Sequence, residues 1–510
     1  MDSICPIGLQ CATEISALLS PPSPLQVQVI FSFILCTFLN PFHFTLLLIL
    51  LTLQKYYHDL LTARGCSGIK VKQDGNFGKG LYADMDFKEG ELVLKDPMLV
   101  GAQHPLNKID CLVCSFCFCF IGSIELQIGR RLYMQQLRAN ESHGCEVGSS
   151  SKHCHEMDSS DEEESTQQCT SGSSKTKVPL PEGIVESLMN GQLVLPFSEK
   201  FSLPPAVPCP GGCGEAYYCS MSCAEADWGS SHSLLCTGES SDSARREALL
   251  KFIKHANETN DIFLLAAKAI SSTMLMYRKL KAVSLEEQMK HNTSCVSNHC
   301  NLSILLEAWK PISMGHKRRW WDCIALPDDV DSSDEASFRL QIKMLAFESL
   351  QLLKTAIFDK ECEPLFSLEI YGNIIGMFEL NNLDLVVASP VEDYFLYIDD
   401  LTYPNKEEAE KITQPVLDAL GEEYSIYCEG TAFFPLQSCL NHSCCPNAKA
   451  FKREEDKDGQ ATIIAQRSIC KGEEITISYV DEDLTFEERQ ASLADYGFRC
   501  RCSKCIEEEP

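Results

Sequence analysis

The sequence predicts an α+β fold in which short β-sheets are split between two distant parts of the chain, with a zinc module and a helical segment inserted between them and a zinc-bound tail. Three observations predict it. Residues 69–100, "IKVKQDGNFGKGLYADMDFKEGELVLKDPMLV", alternate apolar and polar positions between glycine-bearing turns, and residues 430–480 return to that pattern. Such alternation marks short antiparallel strands. Residues 240–282 and 336–359 place Leu, Phe, Ala and Ile at helical spacing, the pattern of core-facing helices. Finally, close-spaced Cys and His pairs lie between the two strand regions and again after the second. A chain of 510 residues has room for a large core and two or three domains.

Composition narrows the class. Lys and Arg number 44 against 72 Asp and Glu, a formal charge of -28. That balance argues against attraction to nucleic-acid phosphates, so no direct sequence-specific nucleic-acid binding is expected, and it favours Lys-rich partners. The 28 cysteines fall mostly in clusters, which read as zinc sites in a reducing compartment and as disulfides in a secreted chain. The amino terminus lacks a basic n-region. In a secreted chain Asn441-His442-Ser443 would also be a glycosylation acceptor. The expected setting is intracellular, with reduced thiols.

Taken in order, residues 1–25 form an N-terminal leader and 26–54 an apolar segment. Val27–Leu53 is long enough to span a bilayer, although Asn40-Pro41 and His43 interrupt it. Lys55, Arg64, Lys70 and Lys72 follow it and would hold the remaining chain on the cytoplasmic side. The codons of Phe, Leu, Ser and Ile are T-rich, and the run closes on Gln54, so it reads as a retained intron in preference to a membrane span. Its deletion would join "PPSPLQVQ" to "KYYHDLLTARG", an entry into a soluble helix. Residues 66–104 carry the first strands. A zinc module over 111–236 follows, interrupted by a partly disordered insertion over 115–208. Within it, Ser142 to Pro181 is Ser-rich and acidic, a composition that cannot bury enough surface to fold. The helical segment spans 240–366; its "GHKRRWWDCIALPDDVDSSDE" reads as a solvated loop. Residues 367–480 carry the second set of strands and 481–510 the tail.

The cysteines then supply the chemistry. Cys111-x2-Cys114, Cys209-x3-Cys213, Cys219-x3-Cys223 and His232-x3-Cys236 offer eight soft ligands, enough for two tetrahedral zinc ions. An interleaved pairing puts Cys111, Cys114, Cys219 and Cys223 on one ion and Cys209, Cys213, His232 and Cys236 on the other. The gap after Cys114 also holds Cys117, Cys119, Cys145, Cys154 and Cys169 as competitors, with Cys117 and Cys119 read as small buried hydrophobes. At the C-terminus Cys500, Cys502 and Cys505 leave a third zinc one ligand short, and Cys444 or Cys445 is the natural fourth.

Four pieces of sequence carry a resemblance. They are "GKG" at Gly78 to Gly80 with Leu81-Tyr82-Ala83, "NHSCCPN" at Asn441 to Asn447, "GEEITISY" at Gly472 to Tyr479, and "YGFRCRCSKC" at Tyr496 to Cys505. In this order, with the eight-ligand pattern between the first two, they resemble SET-domain protein lysine methyltransferases that carry a MYND zinc finger inside the SET domain. The chain looks most like the plant trithorax-related SET proteins with a split MYND finger. It is also similar to the SMYD family, without that family's long C-terminal helical domain.

The resemblance implies S-adenosylmethionine as cofactor, two zinc ions in the MYND finger and one in a post-SET tail, with Cys444 as its fourth ligand. It implies cofactor contacts from Gly78, Lys79, Gly80, Asn441, His442, Tyr479 and Phe498, and from Asn381, beside which Asn382 is the alternative. Tyr479 corresponds to the catalytic tyrosine and Tyr496 to a second tyrosine lining the lysine channel. The implied activity is a nuclear, chromatin-acting histone-lysine methyltransferase, with histone H3 the expected target and the MYND surface a site for partner proteins. Two alternatives stand beside it: a non-histone lysine substrate, and a non-catalytic MYND adaptor.

Overall fold

The alternation at 69–100 resolves into three strands, with a fourth starting at its end, in the computed structural model, which describes residues 11–19, 54–74, 78–143, 180–239, 241–291, 298–315, 318–327, 330–331, 333–422 and 424–509. They are β1 (Ile69–Asp74), β2 (Gly78–Ala83), β3 (Leu92–Asp96) and β4 (Val100–Gln103). The tiny pair β5 (Val207–Pro208) and β6 (Tyr217–Tyr218) lies among the metal-ligand candidates. The rest follow the helices: β7 (Asn382–Val387), β8 (Cys428–Phe433), β9 (Asn441–His442), β10 (Ala448–Ala450), β11 (Ala461–Ala465) and β12 (Glu474–Ile477).

Among the described residues these strands make small sheets ordered β1-β2-β12-β9, β10-β11-β3 and β4-β8-β7. Each joins the early strand region to the late one. In the first sheet β2 pairs antiparallel with β12, Leu81 opposite Ile475, and β12 pairs parallel with β9, Thr476 opposite Asn441 and Ile477 opposite His442. The inward faces of these strands, with Leu81, Leu94, Ile463 and Ile475, close over one core. Tyr57 and Leu61, from a helix over 54–63, complete it.

A buried carboxylate fixes the turn that leads into β9. Asp96 is fully buried, accepts the backbone N–H groups of Leu436 (2.7 Å) and Gln437 (2.8 Å), and pairs with Arg64. One side chain thus holds the 54–64 segment, β3 and the approach to Asn441 together, and removing it would strand two backbone donors in the interior.

The helical segment is more extensive than its spacing predicts. Helices Ser243–Thr259, Ile262–His291, Asn298–Ser313, Glu335–Ile357 and Leu368–Asn381 share a core that includes Phe252, Phe263, Trp309 and Phe378. The helix Ala12–Leu19 docks on it, and the Trp309 indole donates to the Leu18 carbonyl at 3.0 Å. The 315–335 stretch differs from the solvated loop its polar residues suggest. Trp320 is fully buried, its indole donating to Glu379 at 3.1 Å, because an indole confers more by burial than its charged neighbours lose by anchoring the chain. Part of the 115–208 insertion is also ordered: helices Ile124–His143 and Glu182–Met189 pack on Pro390–Asp399 and Asn405–Leu420 through Ile128, Val185, Leu188, Tyr394 and Val416. Most of the Ser-rich acidic stretch, and all of Val27–Leu53, lie outside the described residues. No helix of the described residues is long and apolar enough to cross a membrane.

Candidate functional site

The parallel pairing of β9 with β12 brings Asn441 and His442 beside the chain that runs on to Tyr479. The Tyr479 backbone N–H donates to Nδ1 of His442 at 3.0 Å, and the Tyr479 hydroxyl donates to the Leu440 carbonyl at 2.5 Å. Because Nδ1 accepts, the imidazole proton sits on Nε2, which faces the Cys444 sulfur at 3.2 Å. Burial, reinforced by the nearby Arg489 charge, lowers the His442 pKa to about 4, so the ring is neutral at physiological pH.

Four rings converge here. Centroids of His442 and Tyr479 lie 5.4 Å apart, Tyr479 and Tyr496 5.2 Å, His442 and Phe498 5.9 Å, and Tyr479 and Phe498 6.4 Å. All four residues are half-buried, so together they form an aromatic wall open on one side. Burial pushes the Tyr479 phenol up, and Tyr496 beside it adds to the shift. Burial also raises Tyr496, with Glu379 contributing. Both hydroxyls therefore stay protonated at neutral pH and serve as hydrogen-bonding groups, not bases.

Next to this wall the chain packs so closely that only glycine fits. A Cβ on Gly80 would sit 2.6 Å from Glu474 Oε1 and 3.1 Å from Asn441 Nδ2. The Asn441 amide donates to Glu474 Oε1 (2.7 Å) and to the Lys79 carbonyl (3.1 Å), which fixes its orientation. Gly78 adopts φ +84°, a left-handed conformation that side chains resist. The Lys79 ammonium is directed elsewhere, donating to the Tyr57 hydroxyl (3.0 Å) and the Met314 carbonyl (2.6 Å), so only its backbone belongs to this group. Asn381 ends its helix with its amide donating to the Met377 carbonyl at 2.7 Å.

Asn447 is the residue that sequence reasoning passed over. It is buried; its amide donates to Glu473 Oε1 (3.1 Å) and the Glu474 carbonyl (2.8 Å), and its Oδ1 accepts the Thr476 N–H at 2.9 Å. It therefore latches the Asn441–Asn447 loop to β12. The signal available for it was its place at the close of a Cys-Cys-Pro turn, where an Asn side chain can substitute for strand pairing.

Three groups of ligand atoms gather, each within 4.8 Å of one another: Cys114, Cys117, Cys219 and Cys223; Cys209, Cys213, His232 and Cys236; and Cys444, Cys500, Cys502 and Cys505. The first corrects the expected set, because Cys117 stands where Cys111 was expected. Cys111 has extended backbone (φ −120°, ψ 123°), and its thiol turns away to donate to the Ile426 (3.3 Å) and Tyr427 (3.4 Å) carbonyls. Burial pushes that thiol up to about 12, so it remains a protonated donor. Cys114 instead opens a tight turn, with Phe118 N–H donating to the Cys114 carbonyl, and a turn of that kind brings Cys114 and Cys117 onto one side. Cys119 lies close as well, its sulfur 3.5 Å from that of Cys117. In the third group the tail is tied down further by Gln490, whose Oε1 accepts the Cys500 N–H at 3.1 Å. Four sulfur-rich ligands at this separation suit zinc.

The sequence pattern of the SET domain matches residues 78–480. The chain is 65% identical over 458 residues to the histone-lysine N-methyltransferase ATXR2 of Arabidopsis thaliana, a match covering 89% of this chain and 94% of that one. It is 25% identical over 307 residues to the protein-lysine N-trimethyltransferase SMYD5 of Mus musculus, covering 58% of this chain and 65% of the relative. A stretch of 78 residues is 41% identical to the histone-lysine N-methyltransferase ASHR1 of Arabidopsis thaliana, 15% of each chain.

Proposed function

The chain belongs to the SET-domain family, and from that premise we propose that it transfers a methyl group from S-adenosylmethionine to lysine side chains of histone tails, histone H3 foremost, in the nucleus. The observation that carries the reading is the convergence of Tyr479, Tyr496, His442 and Phe498 beside the backbone at Gly80, against which Asn441 and Glu474 pack closely. In this reading Gly78, Gly80, the Lys79 backbone, Asn441, His442 and Phe498 hold the cofactor, with Asn381 a further contact. When bound, S-adenosylmethionine supplies an electrophilic methyl on a sulfonium.

The remaining work falls to the chain's own residues. A lysine amine must be neutral to attack, which from its ordinary pKa costs about 4.6 kcal/mol at pH 7. The half-buried walls of Tyr479 and Tyr496 favour loss of that proton by desolvation. Tyr479, its hydroxyl anchored on the Leu440 carbonyl, orients the amine and does not take its proton. The three Cys and His groups hold zinc, two ions in a MYND finger and one in the post-SET tail. Zinc on Cys444, Cys500, Cys502 and Cys505 would tie the Cys444 loop to the segment bearing Tyr496 and Phe498 and so steady the aromatic wall. The MYND surface is a docking site for partner proteins.

A histone substrate is supported by the name of the relative with 65% identity and by the charge of -28, which attracts basic tails. The test is transfer of labelled methyl from S-adenosylmethionine to nucleosomes and to free histones by the full-length chain and its Tyr479→Phe variant. Label on histone H3 that is largely lost in the variant is the expected result. No label on any histone, with cofactor binding and zinc content intact, would overturn the histone assignment in favour of a non-histone lysine. Absence of cofactor binding would instead leave an adaptor.

A further inference from the structure

A cavity of about 650 Å³ lies between β4, the loops of the zinc-ligand region and the helices Ser243–Thr259 and Ile262–His291. It shares no residue with the group around Tyr479. Its size is that of a small-molecule site. One side is apolar, formed by Leu249, Phe252, Ile253 and Leu264; the other carries Lys108, Arg130, Arg246 and Lys268 beside Glu215, Asp227 and the zinc-ligand candidates Cys213 and His232, cations outnumbering carboxylates.

The cations are poorly matched by the protein. Lys108 lines the cavity with an accessible side chain, yet its ammonium makes no hydrogen bond or ion pair with any described residue. Lys268 donates only to the Gly101 carbonyl, at 2.6 Å. Arg130 spends its guanidinium on the carbonyls of Ile109 (2.9 Å) and Lys108 (2.7 Å). Of the two carboxylates in the lining, Asp227 is already engaged by the Tyr218 hydroxyl (2.8 Å) and Ser231 Oγ (3.2 Å), and Glu215 acts on Lys108 without forming an ion pair with it. Desolvation lowers the pKa of both Lys108 and Lys268, and Lys268 lowers that of Lys108 further, with Glu215 and Asp261 opposing the shift on Lys108 and Asp227 that on Lys268, so the two ammonium groups feel one another across the cavity. Neither lysine forms an ion pair among the described residues, and in a chain of charge -28 the collection of such cations on one wall is contrary to the average.

We propose that this cavity is a binding site for a small organic anion, an apolar body bearing a phosphate or carboxylate, with Lys108 and Lys268 receiving the anionic head and the Leu249–Phe252–Leu264 side the body. The site stands apart from the methyl-transfer reading and does not depend on it.

The test is ¹⁹F NMR titration of the full-length chain with 4-fluorophenyl phosphate and 4-fluorobenzoate, beside neutral 4-fluorobenzyl alcohol. Saturable binding of at least one anion and none of the alcohol is expected. Lys108→Met should weaken it about tenfold, the loss of one hydrogen bond to a charged group, and Lys108→Arg should restore most of it. Unchanged zinc content and circular dichroism verify that the variants fold. Equal affinity in wild type and Lys108→Met, equal binding of the alcohol, or no saturable binding of either anion would each overturn the proposal.

Discussion

The backbone N–H of Tyr479 donates to the imidazole Nδ1 of His442 at 3.0 Å, so the residue that closes β12 is held by the residue that ends β9. A His442→Phe variant keeps an aromatic ring but leaves that N–H without its acceptor. An unsatisfied buried donor costs about 1–3 kcal/mol. The expected outcome is lower thermal stability together with weakened S-adenosylmethionine binding, read by calorimetry. Unchanged affinity would show that the ring alone suffices.

Gly80 gives a sharper test of the cofactor pocket. Gly80→Ala places a methyl against Glu474 Oε1 and Tyr82, and Asn441 must shift to admit it. Cofactor affinity should fall about tenfold or more, since a displacement of an ångström in a binding group is poorly tolerated. Folding should persist, because the clash is with side-chain atoms. Calorimetric binding beside a melting curve separates the two effects.

Cys111 and Cys117 exchange roles relative to the spacing, and metal analysis can read this directly. Cys117→Ser should lower bound zinc by about one ion per chain. Cys111→Ser should leave the zinc content whole, since that thiol serves two carbonyls. Loss of zinc from Cys111→Ser and not from Cys117→Ser would reverse the assignment.

Asp456 sets a pH dependence. It is buried and accepts hydrogen bonds from Arg453 Nε (3.0 Å) and the second guanidinium nitrogen (3.1 Å), with Lys95 as a further partner. Burial alone would raise its pKa; the hydrogen bonds from Arg453 and Lys95 more than reverse this and hold it well below the ordinary carboxylate range. A carboxyl depressed in the folded state contributes stability that is present above its unfolded pKa, near 3.9, and is lost as pH falls from there toward its folded pKa. Asp456→Asn should therefore lower the urea midpoint at pH 7 and narrow its gap from wild type as pH falls below about 4. A gap that stays constant with pH would exclude this ion group as the source.

Lys79 ties the 54–63 helix to β2, whose backbone borders the proposed cofactor site. Tyr57→Phe removes the hydroxyl that accepts from the Lys79 ammonium and should cost about 0.5–1.5 kcal/mol. The expected signature is a lower melting temperature with a raised KM for S-adenosylmethionine and little change in kcat.

Much of this arrangement was legible in the sequence, for identifiable reasons. Apolar alternation was legible at β8 and β12, which bury alternate residues, whereas β4 and β11 are buried at every position and lack that signal. The residues around Tyr479 were legible because they lie in short contiguous motifs. Cys117 was not, since Cys111-x2-Cys114 and Cys114-x2-Cys117 have the same spacing and only the turn at Cys114 distinguishes them. Trp320 and Trp321 sat among Lys, Arg and Asp residues that concealed their burial. The bond between Tyr57 and Lys79, and the latch of Asn447 on β12, are tertiary hydrogen bonds with no periodic signature.

The pairing of β2 with β12 has a cost in time. β2 ends at Ala83 and its neighbour begins at Glu474, so on the ribosome one edge of that sheet waits for roughly 20–80 s at typical elongation rates before its partner is made. During that interval the β1–β2 hairpin exposes an unpaired strand edge and the apolar face of Leu81, the features that invite intermolecular pairing. Gly78 and Gly80 are among the first parts of the body synthesised and the last to find their neighbours, so nascent chains need protection, and a chain ending before residue 474 cannot close the sheet at all.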